Sequence, residues 1–337
     1  MPTALRIHAF GLDNLKLEQF ELPKLGPNDV HVRFHAASLN YRDLMIALGT
    51  YNPKLEMPRI LGSDAAGEVL AIGSEVTLFK AGDRVASLFF QTWHDGPIQS
   101  STGKYSLGGP IDGVFATERI LPEGGLIPIP SSLGYEQAAT LPCAAVTAWN
   151  ALIEKGHLRA GQTVLVLGTG GVSLFALQIA KAHGATVILT SSSDDKLARG
   201  KQLGADYLIN YKTSPQWEEE VFRITEKRGV DHVVEVGGAG TLPQSFKAVV
   251  PGGHVHLIGV LSGKGAGVDP TPVLAKSIYL NGVYVGSRAM FEALNAAVVA
   301  NRLQPVIDRT FPFEEARAAF DHMQRGSHFG KIVLSLG

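Results

Sequence analysis

Thr163-Val-Leu-Val-Leu-Gly-Thr-Gly-Gly-Val-Ser-Leu-Phe-Ala-Leu-Gln-Ile-Ala-Lys-Ala-His-Gly184 is the stretch on which the reading of the fold turns. Thr163–Leu167 is short, aliphatic and β-branched, as a strand covered on both faces must be. Gly168-Thr169-Gly170-Gly171 follows, then a helical run through His183, closed by Gly184 as the helix C′ residue. Glycines let such a turn bend sharply and let its backbone approach a pyrophosphate. The free N–H groups and positive dipole end of the helix then bind the anion. A glycine triplet alone also fits an ordinary tight turn; the strand before it and the helix after it select a dinucleotide site. Ser173 stands where the third glycine of G-x-G-x-x-G is usual, which bears on how closely helix and strand pack.

Working outward, the strand–glycine–helix rhythm continues. Candidate strands are Thr186–Thr190, Tyr207–Asn210, His232–Val236, His254–Val260 and Ser277–Val285, with amphipathic helical stretches between several of them. Alternating β and α elements predict a parallel sheet with helices on both faces. A helix over Met290–Asn301 leads to a tail, Lys331–Leu334, that reads as β and returns to the first part of the chain. Residues 1–128 differ in character. Runs such as Val30–Phe34, Ala66–Leu70 and Asp83–Ser87 alternate among Gly, Pro and Asp, predicting an irregular antiparallel β domain.

Composition bounds the rest. At roughly 100–200 residues per domain, 337 residues suggest two domains. Thirty Lys+Arg against 31 Asp+Glu leave a net charge of −1, which argues against a basic nucleic-acid surface. The single cysteine, Cys143, excludes an intramolecular disulfide and any zinc site of several thiolates. Thirty-eight glycines, about 11% against a usual 7%, point to tight turns or close backbone approach to a ligand. Met1–Ile7 lacks the basic and apolar regions of a signal peptide, and no window offers about 18 apolar residues, so a cytoplasmic protein without a membrane span is expected.

The second strand bears on which dinucleotide binds. NAD sites usually offer an acid to the ribose 2′-hydroxyl about 20 residues past the glycines. Here the strand ends Thr190-Ser191-Ser192-Ser193, with no acid at its tip. Ser191 and Ser192 can donate to a 2′-phosphate, with Lys196 and Arg199 to neutralise it. Ser193 or Asp194 also reads as the cap of a helix starting near Asp195, with Lys196 solvated, and both readings can hold together. Asp194 and Asp195 remain able to swing toward a ribose. The balance favours NADP(H) over NAD(H).

Further motifs carry a resemblance. They are Asn40-Tyr41-Arg42-Asp43, Leu61-Gly-Ser-Asp-Ala-Ala-Gly-Glu-Val69, Lys80-Ala-Gly-Asp-Arg-Val85, Ala138-Ala-Thr-Leu-Pro-Cys143, Leu203-Gly-Ala-Asp206 and His328-Phe-Gly-Lys-Ile-Val-Leu334. With the glycine turn, they make essentially the whole chain resemble the medium-chain dehydrogenase/reductase superfamily, in its zinc-independent, quinone-oxidoreductase-like branch. The resemblance implies an α/β protein with two domains and a cleft between them. A GroES-like irregular β-barrel catalytic domain would span 1–128, completed by 290–337. A Rossmann domain with a doubly wound parallel sheet would span 129–289. It also implies a homodimer, formed through the last Rossmann strand near Tyr279–Val285.

Zinc alcohol dehydrogenases of this superfamily hold their catalytic metal with a Cys, a His and a second Cys. The resembling positions here are Asn40, Ser63 and Cys143, and the region Phe89–Asp112 carries none of the cysteines of a structural zinc lobe. A single thiolate does not hold zinc, so no catalytic metal is expected; Cys143 reads as a small buried residue near the cofactor. Oxidising a simple alcohol needs a stabilised alkoxide, which zinc normally supplies. Reducing a quinone or an α,β-unsaturated carbonyl instead puts the developing charge on a conjugated oxygen, where a few hydrogen-bond donors suffice.

Candidate donors are Asn40, Tyr41 and Tyr51. Tyr51, in Gly49-Thr-Tyr-Asn-Pro53, resembles a catalytic tyrosine of enoyl reductases, although both tyrosines also read as packing aromatics. Asp43, beside Arg42, reads as holding its loop. The resemblance assigns Gly170, Gly171 and Val172 to the pyrophosphate, and Ser191, Ser192, Lys196 and Tyr211 to the adenosine phosphate. It puts Thr147 near the nicotinamide, Gly237 near a ribose, and Ile258, Val260, Val283 and Val285 at strand ends facing the cofactor. Lys331 is either a pyrophosphate contact or a solvated lysine. The expected activity is NADPH-dependent reduction of a small quinone or activated carbonyl substrate. A zinc-free alcohol/aldehyde oxidoreductase and a non-catalytic nucleotide binder are the alternatives.

Overall fold

A computed structural model describes residues 1–263 and 267–337. The chain divides into two compact units, Met1–Val146 with Ser287–Gly337, and Thr147–Gly286. In chain order the strands are β1 (Thr3–Ile7), β2 (Leu15–Gln19), β3 (Asp29–Leu39), β4 (Arg59–Ile60), β5 (Asp64–Ile72), β6 (Arg84–Ser87), β7 (Glu118–Pro122) and β8 (Leu126–Pro128). The second unit holds β9 (Thr163–Val166), β10 (Thr186–Ser191), β11 (Tyr207–Asn210), β12 (Val230–Glu235), β13 (Val249–Leu257) and β14 (Tyr279–Gly282). The chain closes with β15 (Ile307–Pro312) and β16 (Lys331–Ser335).

In the first unit a seven-stranded sheet runs β15-β16-β3-β5-β6-β8, with β7 also pairing with β3, beside a smaller sheet β2-β1-β4. Pairing is antiparallel apart from β15 with β16. Val30, Val32 and Phe34 alternate inward along β3 and bury their side chains with Val69, Val85, Phe115 and Phe320. The tail does return to this unit: β16 lies antiparallel to β3, with Ile332 opposite Leu39. Residues 129–146 also belong to it, so the division falls at 146/147 rather than at the expected 128/129. Three contacts tie this segment there. Arg84 donates to Leu133 O, His35 stacks on Tyr135, and the Cys143 N–H donates to Asp64.

The second unit is a six-stranded parallel sheet in the order β11-β10-β9-β12-β13-β14. Counting from β9, this is the 3-2-1-4-5-6 order of doubly wound dinucleotide folds. Val164, Leu165 and Val166 are fully buried, as the centre of such a sheet requires. Trp217, Val221 and Phe246 close one core over Leu165, Ile188 and Val233. The helix Gly171–Ala182 ends at His183, and Gly184 sits at φ +74, the left-handed C′ geometry expected of it. Several strand bounds differ from the sequence reading by one or two residues, and two strands differ by more. β13 begins at Val249 and stops at Leu257, and β14 covers less than Ser277–Val285 because Ser277 and Val285, at φ +51 and +52, break the extended backbone on either side. Among the described residues no helix is long and apolar enough to cross a membrane.

Candidate functional site

The parallel sheet aligns the carboxyl ends of its six strands along one edge, and most of the expected cofactor residues follow those ends. Strand order reverses between β10 and β12 on either side of β9, which is where ligands settle in open α/β sheets. After β9, Gly168 turns at φ +73 and its N–H donates to Thr190 Oγ1 at 3.2 Å. Gly170 is the N-cap of the helix Gly171–Ala182, with no side chain capping it and no acid in the first turn. A Cβ built on Gly170 meets nothing within 4 Å, so there is open space before the first-turn N–H groups of Gly171 and Val172. These groups have no intrahelical acceptor and lie at the positive dipole end, so the cradle fits a pyrophosphate. Ser173, in place of the third glycine, is buried and donates its hydroxyl to Leu167 O at 2.7 Å. A small side chain that bonds the strand end is therefore accommodated at the packing point.

At the end of β10, the buried Ser191 hydroxyl accepts the Ser193 N–H at 3.3 Å, while Ser192 beside it is half-buried. Ser193 caps the helix Asp194–Gln202, accepting the Lys196 N–H. The Asp194 carboxylate is engaged by Asn210 Nδ2 at 2.7 Å, at the end of β11. Tyr211 is exposed there, with its N–H donating to Ser191 O at 3.1 Å. Ser191, Ser192, Tyr211 and the first turn holding Lys196 therefore gather at one corner, where Asp194 is paired with Asn210.

Glu235, which the sequence reading did not single out, organises the neighbouring strand end. It is fully buried at the end of β12. Its Oε1 accepts from the Gly237 N–H (2.7 Å), the Gly238 N–H (3.0 Å) and Thr241 Oγ1 (2.6 Å), and its Oε2 from Ser245 Oγ. This carboxylate fixes the turn that carries Gly237. An acid ending the strand just before Gly237-Gly238 was the available signal. Ile258 is half-buried and Val260 exposed beyond β13. Val283 and Val285 are buried beyond β14, and Thr147 is buried in the turn Val146–Trp149. Val285 holds a left-handed conformation that a β-branched side chain resists, at a cost of about 1–3 kcal/mol, while Asn150 Nδ2 donates to its carbonyl at 2.7 Å.

In the first unit, β3, β5 and β16 bring a second set together. The β3–β16 register places Lys331 beside Leu39, and its buried ammonium donates to Leu39 O (2.7 Å) and Asn40 Oδ1 (2.5 Å). The solvated reading of Lys331 does not describe this buried ammonium. Its position in the sheet commits the cation to the end of β3. Asn40 Nδ2 donates to Ser63 Oγ at 3.3 Å, Ser63 Oγ donates to Asp64 Oδ1 at 2.6 Å, and Asp64 Oδ2 accepts the Cys143 N–H at 3.0 Å. Burial pushes the Asp64 carboxyl up from its ordinary range, partly offset by Lys331. Burial, and then the charge of Asp64, push the Cys143 thiol far up, so it stays a thiol.

Asn40 also caps the helix Tyr41–Ala47, its N–H donating to Asp43 Oδ2 at 2.8 Å, so Asp43 does hold this turn. Arg42 donates to Leu107 O and Ser106 Oγ and lies over the rings of Phe89 and Tyr51, with its guanidinium carbon 5.2 Å from the Tyr51 centroid. Tyr41 is exposed, and Tyr51 is about one-third exposed above Arg42. As donors to zinc, Asn40, Ser63 and Cys143 offer an amide, a hydroxyl and one thiol, with an ammonium on the amide oxygen. That set does not fit tetrahedral zinc.

Asp43 is fully buried, its Oδ1 has no partner among the described residues, and burial raises its carboxyl from 3.8 to about 7 against the pull of Arg42. The folded chain therefore holds this proton more tightly than the unfolded chain. Stability from this group is complete below about pH 4 and is lost as pH rises toward 7, by on the order of 4 kcal/mol. Asp43→Asn keeps an oxygen for the Asn40 N–H and is expected to flatten the urea-unfolding free energy between pH 4 and 7. An unchanged slope in the variant would show that Asp43 does not carry it.

Residues 26–131 match the family described as Alcohol dehydrogenase GroES-like domain, and residues 171–300 the family described as Zinc-binding dehydrogenase. The chain is 44% identical, over 97% of its length and 96% of the relative's, to the zinc-type alcohol dehydrogenase-like protein C1773.06c of Schizosaccharomyces pombe. It is 30% identical to the quinone oxidoreductase of Mus musculus, covering 99% of this chain and 97% of that one. A solved NAD-dependent alcohol dehydrogenase superposes with a TM-score of 0.91 at 34% identity, covering 99% of this chain and 100% of that one. Fold and relatives together define an oxidoreductase with a GroES-like domain and a Rossmann-like domain. The chain belongs to the medium-chain dehydrogenase/reductase superfamily.

Proposed function

We propose that this protein is a metal-free NADPH-dependent reductase of quinones or α,β-unsaturated carbonyls. The observation that carries the reading is the Lys331–Asn40–Ser63–Asp64 network, which puts a buried ammonium and an amide where zinc dehydrogenases carry ligands. The relative named a quinone oxidoreductase supports the same substrate class. NADPH, when bound, supplies a hydride to an electron-poor carbon of the substrate. The first-turn N–H groups of Gly171 and Val172 hold the pyrophosphate, and Gly170 leaves it room. Ser191, Ser192, Lys196 and Tyr211 hold the adenosine phosphate. Lys331 polarises the Asn40 amide through Oδ1, which makes the second Nδ2 proton a stronger donor. That proton, with the Tyr41 and Tyr51 hydroxyls, stabilises charge developing on the substrate oxygen.

The test is a panel of quinones, enones, aldehydes and alcohols with NADPH and NADH, with and without a chelator. Chelator-insensitive turnover of quinones or enones with NADPH is expected. Turnover of alcohols alone, lost on chelation, would overturn the proposal. For the phosphate corner, Ser192→Asp places a carboxylate where the 2′-phosphate would lie. NADPH-over-NADH preference in kcat/KM should fall at least about tenfold, roughly 1.4 kcal/mol; no change would remove this corner from recognition.

We also propose a homodimer formed edge to edge through β14. Among the described residues no strand pairs with β14 on its outer side; Tyr279 and Leu280 are exposed on it and Tyr284 just beyond it. Leu280→Glu should shift the sedimentation of a roughly 72-kDa dimer, twice 35.9 kDa, to that of a monomer. A monomeric wild type at micromolar concentration would sink the proposal.

A further inference from the structure

Three histidines that the proposed reaction does not use stand on one face of the parallel sheet. His254 and His256 alternate along β13, and His232 on β12 is in register with His254. Their rings lie 5.1–5.7 Å apart, within 22° of parallel. One ring nitrogen from each can be chosen so that all three lie within 4.8 Å of one another. His232 and His256 are fully buried, and His254 is half-buried. The cluster sits toward the amino ends of the strands, since Gln162, just before β9, bonds to His232.

The hydrogen bonds form one chain. Asn281 Nδ2 lies 3.4 Å from His256 Nδ1, His256 Nε2 lies 3.3 Å from His232 Nδ1, and His232 Nε2 lies 3.1 Å from Gln162 Oε1. With Asn281 donating, a single proton lies between His256 Nε2 and His232 Nδ1. The 3.3 Å between those nitrogens is also the edge of a tetrahedron whose metal–nitrogen bonds are about 2.0–2.1 Å. His232 donating its other N–H to Gln162 Oε1 is the outer-sphere bond that orients ligating histidines. Asn281 Nδ2 also donates to His254 Nδ1, at 3.1 Å, which orients the third ring.

We propose that His232, His254 and His256 form a binding site for one divalent cation of the zinc, cobalt or nickel class. On binding, the proton of His256 Nε2 passes to Nδ1, where the Asn281 side-chain amide turns to accept it through Oδ1; the ion then joins His256 Nε2 and His232 Nδ1 and draws in His254. Nitrogen-only donors select this class over magnesium or calcium. The fourth position opens on a pocket of about 490 Å³ lined by His254, Gln162 and Tyr279, with Lys155, His157 and Arg159 also on its wall. That basic wall suits hydroxide or a small anion as the fourth ligand. The proposal stands apart from the reductase reading, because it uses none of the residues assigned to NADPH or substrate.

The experiment is a titration of tag-free, chelator-stripped protein with Co²⁺, read by its visible absorption, and with Zn²⁺ by calorimetry. One ion per chain is expected, with Kd of roughly micromolar or tighter, and no comparable response to Mg²⁺. His254→Gln, at the half-exposed member, should weaken binding at least about tenfold, while Cys143→Ser should leave it unchanged. No saturable binding by the wild type below about 100 μM would overturn the proposal whether or not the variants fold. So would binding that survives His254→Gln or disappears in Cys143→Ser.

Discussion

Replacing Lys331 with methionine is expected to destabilise the protein by about 3–5 kcal/mol, lowering the Tm by roughly 5 °C. Methionine fills most of the buried volume, so lost packing is a minor part of the effect. The larger part is electrostatic. Lys331 is 4% exposed, and Leu39 O and Asn40 Oδ1 would lose their donor. Asp43 and Asp64, both fully buried, would lose a cation that helps to hold their charged forms. Breaking up such a set leaves uncompensated charge in a low-dielectric interior. The loss should be greatest near pH 8 and smaller near pH 5, where the raised carboxyls can take up protons instead. A penalty below about 1 kcal/mol at pH 8, or one independent of pH, would mean that the ammonium does not compensate these carboxylates.

The second large effect is expected at Gly170, where stability and ligand binding separate. Its backbone, φ −78 and ψ −179, is extended and open to any residue, and a Cβ there meets nothing within 4 Å. Gly170→Val should therefore unfold within about 1 kcal/mol of wild type, the usual scale for an N-cap change. Its branches would nevertheless fill the space before the helix N-terminus that the pyrophosphate is proposed to enter. Dinucleotide affinity should fall at least about a hundredfold, roughly 2.7 kcal/mol, by fluorescence titration. Unchanged affinity would place the dinucleotide elsewhere. Gly67 is the contrasting case, because a Cβ there lies 1.9 Å from Arg33 O on the paired strand, so its substitution acts on folding before any ligand is considered.

The dinucleotide fold was legible in the sequence because its signals are local. A buried parallel strand, a glycine turn and a helix closed by Gly184 occupy consecutive residues, Thr163–Gly184, and each obeys a short-range rule. Most of the residues assigned to the carboxyl edge, including Gly170, Ser191, Tyr211, Gly237 and Val283, follow strand ends for the same reason. Strand limits were less legible where one residue decides them. Ser277 and Val285 read as β by residue type, but both adopt a left-handed backbone, a choice made by their surroundings.

What residue type and spacing established, then, is the class of fold, the order of its parts and the glycine turn at the helix N-terminus. The polar networks were decided by tertiary structure alone. Lys331 meets Asn40 across 291 residues because β16 pairs with β3, and Cys143 meets Asp64 across 79. Glu235 becomes an organising carboxylate only once the sheet buries it against Ser245 and the Gly237 turn. The three histidines converge because β12 and β13 are adjacent in the sheet. The physical reason is the same in each case: desolvation and hydrogen-bond partnering depend on which distant strands become neighbours, and a local sequence pattern carries no record of that.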